Sequence, residues 1–277
     1  LAKLWFGPAG KPITFKGRME KVPEFLANIG LDALEYEAVR GVRISEEKAR
    51  LLGEEAEKYG VIMSLHAPYY INLASPDSSV VERSIMRIIE SMKAAEWMNA
   101  YAVVIHTGYY KGHKSKEEAI KQAIQAYKKA LEQLPSWVKK PDLSPEVMGK
   151  TTAIGDIDEV VMICNELGKC RPTIDWAHLY ARYQGNRVKS KDDVIKVVEY
   201  FEKNLGKRAI DPLHTHFSKI EYGKGGEREH HTLSEGEYGP EWSVVCEAYK
   251  EIGINAVIIS ESPILEKDAL LMKETCQ

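Results

Sequence analysis

No stretch of the 277-residue chain is apolar for long enough to cross a membrane. A spanning helix needs roughly 20 consecutive apolar residues, and the opening LAKLWFGPAG lacks the basic-then-apolar pattern of a leader. Cysteine is scarce. The four residues Cys164, Cys170, Cys246 and Cys276 form no CxxC pair, which argues against a zinc ribbon or a thioredoxin-like redox motif. A chain of this size does not need disulfide staples, so reduced thiols in a cytoplasmic protein are expected. An excess of positive charge is missing too. With 38 Lys and Arg against 41 Asp and Glu the net charge is -3, so no broad basic surface advertises a nucleic-acid partner. Bound metal cations would be an alternative source of local positive potential. There is no Ser/Gly/Pro-rich linker and no low-complexity segment, so residues 1–277 are read as one domain.

What is present is a recurring unit. An amphipathic helix is followed by a Gly or small turn, a short apolar strand and then a polar residue, as in LGEEAEKYGVIMSLH and VVCEAYKEIGINAVIISE. The strands are β-branched and apolar, as strands buried on both faces should be. Helices are expected at about 46–59, 80–98, 116–133 and 191–204, with Ser45 and Ser115 as N-caps. Eight strands are expected near 4–7, 33–37, 61–66, 102–106, 145–148, 173–175, 213–216 and 256–261. The fifth, in KKPDLSPEVMGK, is the least strand-like and is placed partly by the count. Eight strand-helix units in this length specify an α/β fold, a (β/α)8 TIM barrel. The competing doubly wound sheet usually carries GxGxxG after its first strand, and FGPAGKP does not match it.

In such a barrel the chemistry sits at the C-terminal ends of the strands. Those ends carry Glu35 and Glu37, His66, His106, Glu146, Asp175, His214 and Glu261, with His178 three residues beyond Asp175 and His230 in a loop after the seventh strand. Taken singly, each has a bland explanation: a hydrogen-bonded structural histidine, a helix cap, a solvated loop acid. Gathered into one cavity, these imidazoles and carboxylates would be expensive to bury without a cation. Mixed His and carboxylate donors suit Zn, Mn or Fe, and the absence of Cys fits a catalytic rather than a closed structural site. The donors outnumber what one ion can bind, so two or three ions bridged by a carboxylate are expected, an arrangement suited to phosphoryl chemistry.

The motifs HAPYYINLAS at His66, HTG at His106, PEVMGK at Glu146, IDWAH at Asp175, LHTHFSK at His214, HHTLSEG at His230 and ISES at Glu261 come in order on successive strand ends. In them the chain resembles endonuclease IV, the zinc-dependent apurinic/apyrimidinic endonucleases, and their archaeal-type homologues, over essentially its whole length. The resemblance implies a xylose-isomerase-like barrel that incises DNA 5′ to abasic sites with up to three Zn2+, Mn2+ or another divalent ion being possible. It implies that His66, His106 and Glu146 hold one ion. Glu146 then bridges to a second held by Asp175, His214 and Glu261, and His178 and His230 hold a third with one carboxylate. Glu146 and Glu261 would orient or deprotonate the attacking water. Bacterial members carry an Asp two residues before the loop histidine, where this chain has Arg228, so Glu227 or Glu229 must serve, and Glu227 is expected. The family's HLND is here HTHF, so His216 replaces an Asn and Phe217 an Asp; His216 and, in the loop, His231 are expected at substrate-facing or supporting positions.

Tyr69, Asn72, Arg40, Arg182 and Lys219 lie just past strand ends and are the candidate substrate-binding residues. Aromatics beside cations can stack bases and hold phosphates, although tyrosines line small-molecule pockets equally well. The expected partner is DNA containing abasic sites, with no membrane, and the expected state is a monomer. The alternative is a sugar isomerase or epimerase on the same barrel, holding one ion with Glu146, Asp175, His214 and Glu261. That reading leaves His66, His106, His178 and His230 without a task.

Overall fold

A computed structural model describes residues 2–276. Eight parallel strands form the barrel: β1 Leu4–Pro8, β2 Ala33–Glu37, β3 Ile62–His66, β4 Ala102–Ile105, β5 Asp142–Pro145, β6 Thr173–Asp175, β7 Leu213–Phe217 and β8 Ala256–Ser260. They pair in two four-stranded runs, β2-β3-β4-β5 and β6-β7-β8-β1. Two seams join the runs. Ala9 bridges Glu35 beside β1 and β2, and Glu146 bridges Thr173 beside β5 and β6. Gly7 lets the first seam close, because a Cβ there would stand 1.7 Å from the Ala33 carbonyl oxygen.

The helices are α1 Val22–Asn28, α2 Glu46–Lys58, α3 Ser78–Trp97, α4 Lys116–Glu132, α5 Ile157–Leu167, α6 Trp176–Arg182, α7 Lys191–Leu205, α8 Lys207–Ile210, α9 Trp242–Ile252 and α10 Glu266–Cys276. Their apolar faces pack on the outward residues of the strands, and Leu34, Leu65, Val103, Leu143, Ile174 and Ile258 join the same buried cluster. Ser45 and Ser115 cap α2 and α4 by accepting from the Lys48 and Glu118 amides, at the positions the sequence indicates. Each accepted amide is one the first turn would otherwise leave unbonded.

The barrel axis is layered by strand parity. Trp5, Ala33, Ile62, Val257 and Ile259 form an apolar group of their own, separate from the cluster under the helices. On β2, β3, β5, β6 and β7 the next residue of the same parity is polar: Glu35, Ser64, Ser144, Thr173 and His214 are all fully buried. Two residues further on, at the rim, stand Glu37, His66, Glu146, Asp175 and His216.

Three expectations need correction. The fifth strand is Asp142–Pro145 rather than 145–148, because Asp142 to Pro145 pair with Ala102 to Ile105; Glu146 therefore sits just beyond the strand end. The cysteines are not free. Cys164 joins Cys170 and Cys246 joins Cys276. The first pair ties α5 to the segment entering β6 and the second ties α9 to α10, so juxtaposition of neighbouring elements, not core size, decides their pairing. Third, the segment after β7 is more than a loop: Lys219–Gly223 and Gly226–His231 form a β-hairpin. No helix of the described residues is long and apolar enough to cross a membrane.

The Cys246–Cys276 pair closes a loop with a sequence separation of 30. Chain-entropy arguments give such a link about 3 to 4 kcal/mol. Denaturant unfolding with and without reductant should show a loss of that order; an unchanged midpoint would show that the link contributes nothing.

Candidate metal centre

Glu146 is the centre of the rim. It is fully buried, and four imidazoles approach it. His66 Nε2 lies 3.3 Å and His106 Nε2 2.9 Å from Oε2, while His178 Nδ1 lies 3.1 Å and His216 Nδ1 3.4 Å from Oε1. Burial works against its charge, but His106, His178 and His216 hold the carboxyl well below its ordinary value. Glu261 lies 3.2 Å from His216 Nδ1, and the same ring helps to hold it down at about 2 against burial. Asp175 divides its work. Oδ1 caps α6 by accepting from the His178 amide at 2.8 Å, while Oδ2 is buried on the cavity side. Burial, with Glu261 and Glu146 nearby, pushes Asp175 up to about 7.

Most of the imidazoles are anchored by one nitrogen and aim the other inward. His66 Nδ1 is 2.7 Å from the Ala67 carbonyl, His178 Nδ1 is 3.1 Å from the Val147 carbonyl, and His230 Nδ1 is 2.7 Å from Ser218 Oγ. Burial depresses His66, yet Glu37, Glu146 and Glu35 outweigh it and carry the ring up to about 10. Such crowding of acids and bases without a counter-ion leaves atoms unserved. His66 Nε2, both Glu146 oxygens, Asp175 Oδ2, both ring nitrogens of His216 and Glu35 Oε1 are buried without a well-formed hydrogen bond among the described residues. Buried donors left in this state fit cations. Three overlapping groups could each hold one: His66, His106 and Glu146; Glu146, Asp175, His216 and Glu261; and His178, His230 and Glu261.

His214 is not in these groups. Register explains the change: His214 stands beside Thr173, and His216 stands beside Asp175. Both face the axis, but His216 is one layer higher and takes the place assigned to His214.

The hairpin sets Glu227, Arg228 and Glu229 in different directions. Glu229 pairs with Glu221 and Glu227 with Tyr222, so Arg228 is an extra, bulged residue. A bulge reverses side-chain parity. Glu227 and His230, three residues apart, can therefore serve the same cavity, and Glu227 Oε2 lies 3.1 Å from His178 Nε2. Arg228 turns out to Glu221, at 2.9 Å, and Glu229 is exposed. Gly149 makes room for the acid, since a Cβ there would meet Glu227 Oε2 at 2.3 Å.

A cavity of about 320 Å³ opens over the cluster, lined by Tyr69, His106, Tyr109, Met148, Lys150, His178, Glu227, His230 and Glu261. Tyr69 donates to Glu37 at 3.2 Å, and burial pushes Glu37 up to about 8, with Glu35 and Glu261 adding to the rise. Met148 and Lys150 escaped the sequence reading, although both stand in PEVMGK beside Glu146. Of the candidate substrate residues, Tyr69 lines the cavity and Arg40 is exposed on the loop after β2. Asn72 is turned to the backbone, accepting from Ala74 and Tyr109 amides. Arg182 and Lys219 do not face the cavity. Arg182 is buried and donates to the carbonyls of Met148, Lys150 and Ala153 and to Tyr110 Oη. Lys219 is buried against Glu241 and the Glu235 carbonyl. Each cation ties loops together instead of waiting for a ligand.

Together the barrel and its rim define a TIM-barrel protein of enzyme type with a His/carboxylate centre able to hold more than one cation. The chain belongs to the xylose isomerase-like TIM barrel family, whose model matches residues 23–275. It is 39% identical to an uncharacterized protein of Methanocaldococcus jannaschii over 97% of this chain and 95% of that one. A probable endonuclease 4 of Halothermothrix orenii is 24% identical, covering 83% of this chain and 84% of its own. Among solved structures, a D-tagatose 3-epimerase-like protein superposes with a TM-score of 0.73 at 23% identity, over 98% of this chain and 95% of that one. The chain is thus similar in sequence to a probable endonuclease and in fold to an epimerase-like protein.

Arg182→Ala should act on stability. It strands three carbonyls and removes a buried cation, a loss of about 3 kcal/mol or more. Thermal unfolding should show it as a lowered midpoint; a midpoint within a degree of the parent would contradict the tying role.

Proposed function

We propose that the chain is a metal-dependent phosphodiesterase that incises DNA on the 5′ side of abasic sites, with Zn2+ as the resident ion. One observation carries the reading. Nine side chains converge on one rim: the eight distinct residues of the three overlapping groups, and Glu227 beside His178. Glu146 and Glu261 each belong to two groups, so neighbouring ions would share a carboxylate. Resident divalent ions would supply Lewis acidity toward the phosphate and a lowered pKa for the attacking water. The probable endonuclease 4 relative supports the assignment.

The chain's own residues then have defined tasks. His66, His106 and Glu146 would hold one ion, Glu146, Asp175, His216 and Glu261 a second, and His178, His230 and Glu227 a third. Glu261, on the cavity wall, would orient the attacking water and accept its proton as the new phosphorus–oxygen bond forms and the bond to the 3′ oxygen breaks, that oxygen leaving as a hydroxyl protonated from solvent. Lys150, which lines the same cavity, offers its ammonium to a phosphate oxygen. Tyr69 and Tyr109 line the cavity, and both, with Tyr70, expose large ring surfaces. Arg87 covers one face of Tyr70 at 4.2 Å, and Arg40 is exposed next to Gly41, where a Cβ would stand 3.4 Å from Tyr70 Oη. Rings of this kind fill the gap left by a displaced nucleotide.

A second reading keeps only Glu146, Asp175, His216 and Glu261 as a single-ion set, as a sugar epimerase would use. That set is complete by itself, and the epimerase-like structure favours it. It leaves His66, His106, His178, His230 and Glu227 as buried or half-buried polar groups with no role in the chemistry.

Elemental analysis of protein purified without added metal should find about three ions per chain, and a duplex with one abasic site should be cut on its 5′ side. One ion per chain, no incision and conversion of a ketohexose would establish the second reading instead. Glu146→Gln should lower incision by at least a hundredfold. Loss of a supporting partner alone costs about 10- to 100-fold, and Glu146 belongs to two groups. Full activity in that variant would refute the bridging role.

A further inference from the structure

The layer beneath the rim holds a polar cluster that the proposed chemistry leaves unused. Glu35 is fully buried in the barrel interior. Its Oε2 accepts from Ser64 Oγ at 2.7 Å and lies 2.9 Å from His214 Nε2, while Oε1 lies 2.8 Å from His216 Nε2. His214 Nδ1 in turn is 2.6 Å from Tyr101 Oη. Barrel interiors are ordinarily filled by Val, Ile and Leu, and a buried carboxylate between two imidazoles is less stable than an apolar layer of the same volume unless its bonds are complete.

The directions of the hydrogen bonds can be followed one at a time. A phenol is a far better donor to an imidazole nitrogen than acceptor from it when its neighbour is a carboxylate-bound ring, so Tyr101 donates to His214 Nδ1. The proton of neutral His214 then resides on Nε2 and is given to Glu35. The second Glu35 oxygen, 2.8 Å from His216 Nε2, is the acceptor within reach of a proton on that nitrogen. That leaves the Nδ1 lone pair of His216 directed at Glu146, Asp175 and Glu261, 3.4, 3.9 and 3.2 Å away.

We propose that Glu35 is a positioning residue for the centre. Supported by His214, Tyr101 and Ser64, it holds His216 in the Nε2-protonated form and so presents Nδ1 to a divalent cation. This is the carboxylate–histidine–metal arrangement in which the outer partner fixes ring orientation and raises ligand basicity. The same three residues Glu35, His214 and His216 also lie close enough to hold an ion of their own. Direct contact with the carboxylate accounts for both rings: His214 Nε2 is hydrogen-bonded to Glu35 Oε2 at 2.9 Å, and His216 Nε2 stands 2.8 Å from Oε1 as an ion-pair contact not yet aligned as a hydrogen bond, so the ring needs only a small rotation to give its proton to Glu35.

The inference rests on a cation being held beside His216. Because His216 belongs to the single-ion set as well as to the multinuclear one, failure to incise DNA would leave it intact. Long-range 1H–15N spectra of the zinc-loaded protein read the proton position on each ring directly. The expected pattern is a proton on Nε2 of both His214 and His216, with His216 Nδ1 bound. A His216 ring whose Nε2 is unprotonated, including one bound to zinc through Nε2, would overturn the proposal. Glu35→Gln offers one acceptor oxygen where two ring N–H groups need one each. It should weaken binding of one zinc equivalent by about 10- to 100-fold, read by competition with a chelating dye, with the remaining equivalents unchanged. Unchanged affinity for every equivalent would count against the role. Tyr101→Phe removes the donor to His214 and should produce a mixture of His214 tautomers in the same spectra; a His214 ring that stays wholly Nε2-protonated would show that Tyr101 has no part in the chain. The wild-type spectrum decides the central point even if Glu35→Gln does not fold.

Discussion

Keeping Glu146 charged where water does not reach it is the constraint on which the rim depends. An isolated carboxylate in such a place would take up a proton, because the desolvation cost exceeds anything a neutral environment returns. Here four imidazoles surround both oxygens. The same rings serve Asp175, Glu227 and Glu261, so no pair is independent of the rest. Substituting one member leaves uncompensated charge on several others.

Register is what delivers these groups to one height. Parallel pairing sets Glu37 beside His66 and Asp175 beside His216. Glu146 escapes the end of its own strand and still bridges to Thr173. Each polar strand position lies two residues below a rim group, so the chain alternates outward apolar residues with an inward column that grows more polar toward the C-terminal end. The apolar outward set packs the helices, and the inward column is free to be spent on chemistry. That division explains how a ring of buried acids and bases is tolerated without disturbing the surrounding core.

Much of this was legible in the sequence, and the misses share a cause. Helix starts at Ser45 and Ser115 followed from local chemistry, and so did the strand ends at His66 and Asp175, because hydrophobic period and capping are local properties. The choice between His214 and His216 was not local. The two share parity, so only pairing with β6 reveals which reaches the rim. Arg182 and Lys219 sit close after strand ends in sequence, but whether a cation faces a cavity or a carbonyl depends on which loops pack around it. The cysteines likewise meet only when α5 lies beside β6 and α9 beside α10. The bulge at Arg228 could not be read from the hairpin's residues alone, since nothing in GEREHH demands one.

That bulge also locates the difference between the two readings. The set sufficient for one ion, Glu146, Asp175, His216 and Glu261, lies at the ends of β5 to β8. The surplus lies elsewhere: His66 and His106 at β3 and β4, His178 in the first turn of α6, and Glu227 and His230 on the hairpin. The bulge turns Glu227 inward, where its Oε2 accepts from the Gly149 amide at 3.0 Å and Gly149 leaves room for the acid. Both features lower local stability, since a bulge breaks ladder bonds and a glycine enlarges the unfolded ensemble. Their combination makes sense where Glu227 must meet His178, which is the geometry a third ion would require.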